Sequence, residues 1–240
     1  REWFYEYPFD SVSKEVGRLL SKHISINFLS QGSAYMFQEA IGDYYLSENN
    51  AKFALTMYEL AYHLIGPGNY SYLKKWTLLL KMADVLETRF TGREEETLRV
   101  LEQLFKILEQ YSKEKEASLY RVKAVALKAM VLEKTEKKKG YDFLIQQRRT
   151  FEREKPSFHL FQICLELAEA FQEYEELGRY FLKLAKKNSE ILPKLALMNE
   201  KYDRWMFGEQ EIENSEELRK KLQDCYLRLL RLRYVYGHTK

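Results

Sequence analysis

The chain has 240 residues, of which 45% are hydrophobic and 31% charged, and its net charge is only +3. This composition allows a packed core and excludes a predominantly disordered protein. The nearly balanced charge requires neither nucleic acid nor an acidic surface as a partner. With only 10 Gly and 4 Pro, and without an Asn-Gly or Asp-Gly hairpin signal, the sequence favours helices over strands.

Apolar residues recur every three or four positions through nearly the whole chain, which predicts amphipathic helices joined by short connections. Short connections make neighbouring helices antiparallel, and we expect about 10–12 of them. Residues 1–35 are predicted to form a first helix pair, with Val12, Val16 and Leu19 on one apolar stripe. Helix breaks are predicted at residues 66–69, 91–92, 112–115, 137–140, 155–157 and 188–189.

One segment, residues 36–67, carries a specific repeat pattern. Its small and large residues alternate at helical spacing, at Gly42, Tyr45, Ala54, Tyr58 and Ala61. Two helices can cross closely only where small side chains lie between their axes, and large rings then fill the space beside the crossing. The pattern resembles the tetratricopeptide repeat, which implies a hairpin of two antiparallel helices.

Weaker copies of this pattern follow in residues 76–107, 119–151 and 158–185, where the corresponding positions include Ala83, Ala168 and Gly178. Their spacing of roughly 40 residues exceeds the ~34 of standard tetratricopeptide repeats. We therefore expect an all-α fold, a right-handed superhelix of helical hairpins that forms one domain over residues 1–240. Its parts are an N-terminal helix pair (1–35), four degenerate repeats (36–187) and C-terminal capping helices (188–240).

Residues 78–86 (LLLKMADVL) and 92–98 (GREEETL) extend the resemblance. They are similar to the repeats in the sensor arm of large signal-transduction ATPases, the family of maltotriose-responsive transcriptional regulators. The likeness spans about residues 12–187 and specifies fold better than function. It implies a regulatory module that binds an inducer or a protein and controls an ATPase or DNA-binding domain elsewhere. Because the sequence begins at Arg1, we expect it to be part of a larger protein.

The sequence contains no recognisable catalytic or metal-binding motif. Its four His residues form no helical ligand pair, and neither a His-Glu-x-x-His motif nor a Gly-rich phosphate loop is present. Cys164 and Cys225 lie within apolar helical patterns, so we expect core thiols in a reducing cytoplasm. No apolar run is long enough to span a membrane. We expect no enzyme activity, cofactor or metal; the alternative is a site assembled from distant residues.

The first helix of each hairpin is expected to line the concave face of such a superhelix. The residues predicted to face this groove are Glu39, Asp43, Asp84, Glu87, Met130, Glu133, Glu169 and Gln172. This acidic set is opposite in charge to the clamp with which co-chaperones of the repeat family bind a terminal carboxylate. It favours a cationic segment of a protein or peptide, or a small polar inducer. The alternative is that the carboxylates only solubilise an unused surface.

Basic residues are concentrated on the last helix, where Arg219, Arg228 and Arg231 are candidates for phosphate contacts. They make nucleic-acid binding the alternative function. Arg228 and Arg231 share one face of this helix, whereas Lys220 and Arg233 point elsewhere. A solvated basic helix surface explains the same pattern. A protein or peptide therefore remains the partner that the sequence favours.

Overall fold

Helices make up all the regular structure in the part of the chain that the computed structural model describes, residues 31–66, 71–190 and 212–238. The nine helices within these ranges are α1 (Gln31–Ser47), α2 (Ala51–Leu64), α3 (Ser71–Arg89), α4 (Glu94–Gln110), α5 (Ala117–Thr135), α6 (Lys139–Arg153), α7 (Phe158–Ala170), α8 (Glu175–Ser189) and α9 (Ile212–His238). The predicted all-α class is confirmed. The helix pair predicted for residues 1–35 lies outside the described residues, except for the start of α1.

The helices begin and end where local chemistry favours it. Asn50 caps α2 by accepting a hydrogen bond from the backbone N–H of Phe53 (3.3 Å). Ser157 caps α7 in the same way, accepting from the N–H of Leu160 (3.1 Å). Such side chains satisfy donors that have no partner inside the helix. The breaks predicted at 91–92, 112–115 and 155–157 are confirmed, and that at 188–189 coincides with the end of α8.

The break predicted at residues 137–140 is displaced, because α6 already begins at Lys139. The reversal is made instead by Lys138, whose φ of 76° lies in the left-handed region. A backbone in this conformation cannot continue a right-handed helix. The break predicted at 66–69 falls within the described residues only at Gly66.

The chain divides into two compact units, residues 1–140 and 141–240. The residue ranges predicted as repeats contain the helices α1 and α2, α3 and α4, α5 and α6, and α7 and α8, and the unit boundary falls near the start of α6. In unit 1, α1, α2 and α3 share an apolar core that includes Ala54, Tyr58 and Ala61 of α2, all fully buried. A β-carbon on Gly42 of α1 would lie 2.6 Å from Cε1 of Tyr58, so this position accepts only glycine without rearrangement.

Unit 2 has an aromatic core. Phe151, Phe161, Phe171 and Phe181 are all buried, and the rings of Phe151 and Phe181 meet edge to face with centroids 5.0 Å apart. Helix α9 packs on α7 and α8, where the ring of Tyr236 lies directly over Gly178. The two predicted small positions of this unit, Ala168 and Gly178, are thus packing positions, as is the fully buried Ala83 in unit 1.

Candidate functional site

The middle of helix α3 is buried on all sides and nevertheless carries charge. Every residue from 78 to 87 is buried, including Lys81, Asp84 and Glu87. A helix that is buried on all sides is normally apolar on all sides. Charged groups at such positions must be paired or hydrogen-bonded, because an isolated buried charge is strongly unfavourable. The partners of these side chains therefore identify the candidate site in the described part of unit 1.

Lys81 is held by two carboxylates of α1. Its Nζ lies 2.5 Å from Oε1 of Glu39 and 3.0 Å from both carboxylate oxygens of Asp43. Glu39 and Asp43 are four residues apart and so share one face of α1. The hydroxyl of Tyr58 on α2 donates a 2.6 Å hydrogen bond to Oδ1 of Asp43. We call these four residues the Lys81 cluster.

The cluster keeps Lys81 positively charged. Burial alone would lower the pKa of Lys81, but the carboxylates of Asp43 and Glu39 outweigh it and raise this pKa above its ordinary value. Burial raises the pKa of Asp43, while Lys81 and the hydrogen bond from Tyr58 oppose that change. The Nζ of Lys81 also lies 5.5 Å from the centre of the Tyr58 ring, where its charge meets the negative face of the aromatic system.

The charged residues continue beyond the cluster onto α5. The buried carboxylate of Glu87 accepts a hydrogen bond from Nζ of Lys134, whose own side chain is half exposed. Lys123 is almost fully buried, with Nζ 5.2 Å from the centre of the Tyr120 ring. Together the Lys81 cluster, Asp84, Glu87, Lys123 and Lys134 form what we call the inner charged row, carried mainly by α1, α3 and α5.

The residues predicted to line the groove are divided between the two units and differ in burial and in charge pairing. In unit 1, Glu39 and Asp43 pair with Lys81, and Asp84 and Glu87 are buried at 5% and 8% exposure. Met130 is buried, and Glu133 accepts a hydrogen bond from the backbone N–H of Lys138 (3.0 Å). The expected wall of unbalanced negative charge is not what the structure shows here, because lysines are interleaved with the carboxylates.

The predicted residues of unit 2 lie at the α7–α9 contact and its neighbourhood. Glu169 accepts two hydrogen bonds from the guanidinium of Arg228, at 2.6 and 3.1 Å. Gln172 is exposed in the turn after α7, and Arg231 is exposed on α9. Arg219 lies in α9, but its side chain is outside the described part of the structure. The proposed phosphate-binding set is thus reduced, since Arg228 is engaged by a carboxylate.

Within the Lys81 cluster, Lys81 itself was not predicted from the sequence as a site residue. The signal was present, because Lys81 is the one cation within the apolar run 78–83. A lysine in such a run must either emerge at the surface or find carboxylates inside. Its partners lie 42 and 38 residues earlier in the chain, a separation that no local pattern connects.

The cysteines and the potential metal ligands offer no competing site in the described ranges. Cys164 and Cys225 are buried thiols, and burial raises the pKa of Cys164, which disfavours the reactive thiolate. Within residues 31–66, 71–190 and 212–238, no three His, Cys, Asp or Glu side chains are grouped so that they could hold a metal ion.

Comparison of the chain with protein-family models, curated proteins and solved structures gives no match. Among the helices that the structure describes, none has the length and apolar character needed to cross a membrane.

Proposed function

We propose that this chain is a helical-repeat module for protein interaction or ligand sensing, and that unit 1 binds its partner at the inner charged row. The observation that carries this proposal is the placement of Lys81 and its carboxylate partners inside packed helices. The proposal includes a tetratricopeptide-like, right-handed superhelix as the scaffold, and a cytoplasmic signalling or transcription-regulatory protein as its setting. The resemblance of residues 36–67 to the tetratricopeptide repeat supports the scaffold, and that of residues 78–86 and 92–98 to the sensor arms supports the setting.

Folding alone does not favour such a charged row. Replacing a buried ion pair by apolar residues of similar volume is often neutral or stabilising, because desolvation offsets the attraction between the charges. The first helices of the hairpins, α1, α3 and α5, nevertheless carry charge at the positions where they face the interior of unit 1. Ligand sites in proteins are typically built from a few polar groups set among apolar neighbours.

The chemistry of the row indicates the class of ligand. Glu39 and Asp43 share the single cation Lys81, so one of their oxygens can also accept a hydrogen bond from a guanidinium or ammonium group of a partner. Their side chains retain 25% and 19% exposure, whereas Lys81 retains 7%. The acceptors are therefore the more accessible part of the cluster. We infer a cationic peptide segment or a small inducer rich in hydrogen-bond donors.

Binding of a ligand at the Lys81 cluster would change the packing of the helices. The Lys81 cluster joins α1 to α3, which belong to successive hairpins. A ligand that competes for Glu39 or Asp43 would weaken this connection and shift the angle between the hairpins. Through such small shifts a repeat module can relay occupancy to a neighbouring domain.

An enzymatic role for the same residues is the competing hypothesis, since perturbed titratable groups are typical of catalytic sites. A catalytic lysine requires a lowered pKa so that a neutral amine is present near neutral pH. The pKa of Lys81 is raised instead. Lys81 is thus a fixed cation and not a nucleophile or a general base.

Affinity capture with the chain as bait tests the proposal. The variant Glu39→Gln with Asp43→Asn and Lys81→Met removes the acidic acceptors, keeps the shape of the two former carboxylate side chains, and leaves no buried lysine without a counter-charge. We expect captured partner to fall at least about tenfold, a change of about 1.4 kcal/mol in binding free energy. Reversing these charges would be a poor test, because Glu39→Lys would place a second ammonium group beside Lys81.

The matched control is Glu95→Gln with Arg99→Gln, which removes an exposed ion pair on α4. Circular dichroism must show that all three proteins are folded. Equal capture by the acceptor variant and by wild type would remove the inner charged row from the proposal, and capture lost equally in the control would show that the effect is not specific.

A further inference from the structure

Helix α9 has two apolar faces, and one of them packs against α7 and α8. Cys225, Leu229, Leu232 and Tyr236 are all buried and form the inner face. The hydroxyl of Tyr236 donates a 2.6 Å hydrogen bond to the carbonyl oxygen of Ala168 on α7. The inner face therefore anchors α9 and accounts for one apolar stripe of its sequence.

A second stripe runs along the opposite side. Leu227, Leu230 and Tyr234 follow at spacings of three and four residues, which places them on one helix face. They are 58%, 57% and 70% exposed, the highest exposures among the large apolar side chains that the structure describes. Single exposed apolar residues are ordinary, but a contiguous stripe marks an interaction surface. We call these three residues the outer stripe.

Cations border the outer stripe on both sides. Arg231 is four residues after Leu227, and Arg233 is three residues after Leu230, so each lies beside a leucine on the helix surface. Both arginines are exposed, and so is Lys220, about two helical turns before Leu227. Asp224 is the exposed carboxylate among the α9 side chains that are described. The outer stripe is thus an apolar strip with a positive border.

We propose that the outer stripe is the docking surface for an acidic amphipathic helix of a partner protein. The apolar side of that helix would cover Leu227 and Leu230, and its flanking carboxylates would pair with Arg231 and Arg233. Helices recognised in this way present apolar anchors at spacings of three, four and seven residues. This surface belongs to unit 2, whereas the inner charged row belongs to unit 1.

The same features disfavour the other occupants. A second copy of α9 would bring cationic borders against each other, and like charges across an interface oppose association. Nucleic acid would use the arginines but not the leucines between them, and Arg228 is already bound by Glu169. The charge pattern and the apolar strip together fit an acidic helix.

A selection experiment tests this choice of partner. The probe is a display library of helical peptides of about 18 residues, with leucine fixed at the anchor spacings and each flanking position encoded as Glu, Gln or Lys. We expect peptides selected on the full chain to be enriched in Glu at the flanks. Enrichment of Lys, or no enrichment, would overturn the proposal.

Variants locate the binding and separate the alternatives. Leu227→Ser with Leu230→Ser should weaken the selected peptide at least about tenfold. The control Met36→Ser with Leu60→Ser changes two exposed apolar residues of unit 1 and should leave binding unchanged. Arg231→Glu with Arg233→Glu should reverse the flank preference toward Lys. Retained peptide binding by the leucine variant would reject the outer stripe. Salt-dependent binding of duplex DNA that is equally strong in wild type and in the leucine variant would reject it as well.

Discussion

The ammonium nitrogen of Lys81 lies 3.0 Å from both carboxylate oxygens of Asp43, although 38 residues separate them in the chain. The pair joins α3 to α1 and therefore connects two hairpins rather than the two helices of one hairpin. With Glu39 and Tyr58 it forms a hydrogen-bonded group inside unit 1. This group is both a structural connection and, in our proposal, the centre of the ligand site.

Loss of the cation should destabilise the protein strongly. Lys81→Met leaves Glu39 and Asp43 close together in a buried environment without a counter-charge, which typically costs about 3–5 kcal/mol. Both carboxylates keep some exposure, so we expect the lower end of this range in urea unfolding. The control Glu95→Gln breaks an exposed pair in the first turn of α4 and should shift the midpoint by much less.

A triple variant keeps this prediction testable if Lys81→Met fails to fold. Adding Glu39→Gln and Asp43→Asn removes the uncompensated charges and should recover most of the lost stability. A triple variant that is less stable than Lys81→Met would contradict the ion-pair explanation.

The Lys81 cluster should also give stability a dependence on alkaline pH. Because the pKa of Lys81 is raised in the folded protein, its contribution is complete below the ordinary value of 10.5 and is lost as pH rises through the folded value. The difference in unfolding free energy between wild type and Lys81→Met should therefore be constant near neutral pH and shrink above 10.5. Denaturant titrations at several pH values measure it, and a difference that grows with pH would be inconsistent with the raised pKa.

Substitution of Gly42 should reverse the usual effect of adding a methyl group to a helix. Alanine in place of a helical glycine ordinarily stabilises by about 1 kcal/mol. Here the new β-carbon would lie 2.6 Å from Cε1 of Tyr58 and 3.3 Å from the carbonyl oxygen of Ala54. We expect Gly42→Ala to cost about 1–3 kcal/mol through overpacking.

Thermal or denaturant unfolding measures the effect of Gly42→Ala. In a Tyr58→Leu background, which removes the ring, the cost should be smaller, because residues in contact are energetically coupled. A Gly42→Ala variant as stable as wild type would show that the α1–α2 crossing is looser than described.

The contribution of the Tyr236 hydroxyl to the packing of α9 can be tested by removing that one oxygen atom. Tyr236→Phe removes the hydrogen bond to the carbonyl of Ala168 but keeps the ring over Gly178. The expected loss is about 1 kcal/mol of unfolding free energy. Tyr44→Phe, at a half-buried ring in unit 1, serves as the control. Hydrogen exchange should show faster exchange in α9 for the Tyr236 variant, and unchanged protection there would argue against the anchor.

Substitution at one backbone position should increase the stability of the protein. Lys138 adopts φ 76°, a conformation that costs most residues roughly 1 kcal/mol and glycine almost nothing. Lys138→Gly should therefore raise the unfolding free energy by up to about 1 kcal/mol, since the N–H bond to Glu133 is retained. Asn49→Gly, at φ 59°, should gain less because asparagine tolerates this region. A loss of stability in Lys138→Gly would refute the assignment.

The local features of this molecule could be predicted with good success from residue patterns. Apolar spacing indicated the helices, Pro156 and its neighbours indicated a helix break, and Gly42 with Tyr58 indicated a close crossing. These features depend on residues that lie within one or two turns of a helix or within one hairpin. Short-range sterics and backbone hydrogen bonding decide them, and both are readable from adjacent positions.

The charge pairing depended on the tertiary structure. Sequence patterns placed Glu39, Asp43, Asp84 and Glu87 on the first helices of the hairpins but did not place Lys81 next to these carboxylates. They therefore predicted an acidic surface, whereas the structure has lysines between the carboxylates. The outer stripe of α9 was likewise hidden, because Leu227 and Leu229 look alike until packing buries one and exposes the other. The sequence by itself determined the helices and their small crossing positions. Which charges meet, and which apolar residues remain exposed, was decided only when helices distant in the chain packed together, since desolvation and ion pairing depend on the three-dimensional neighbours of each group.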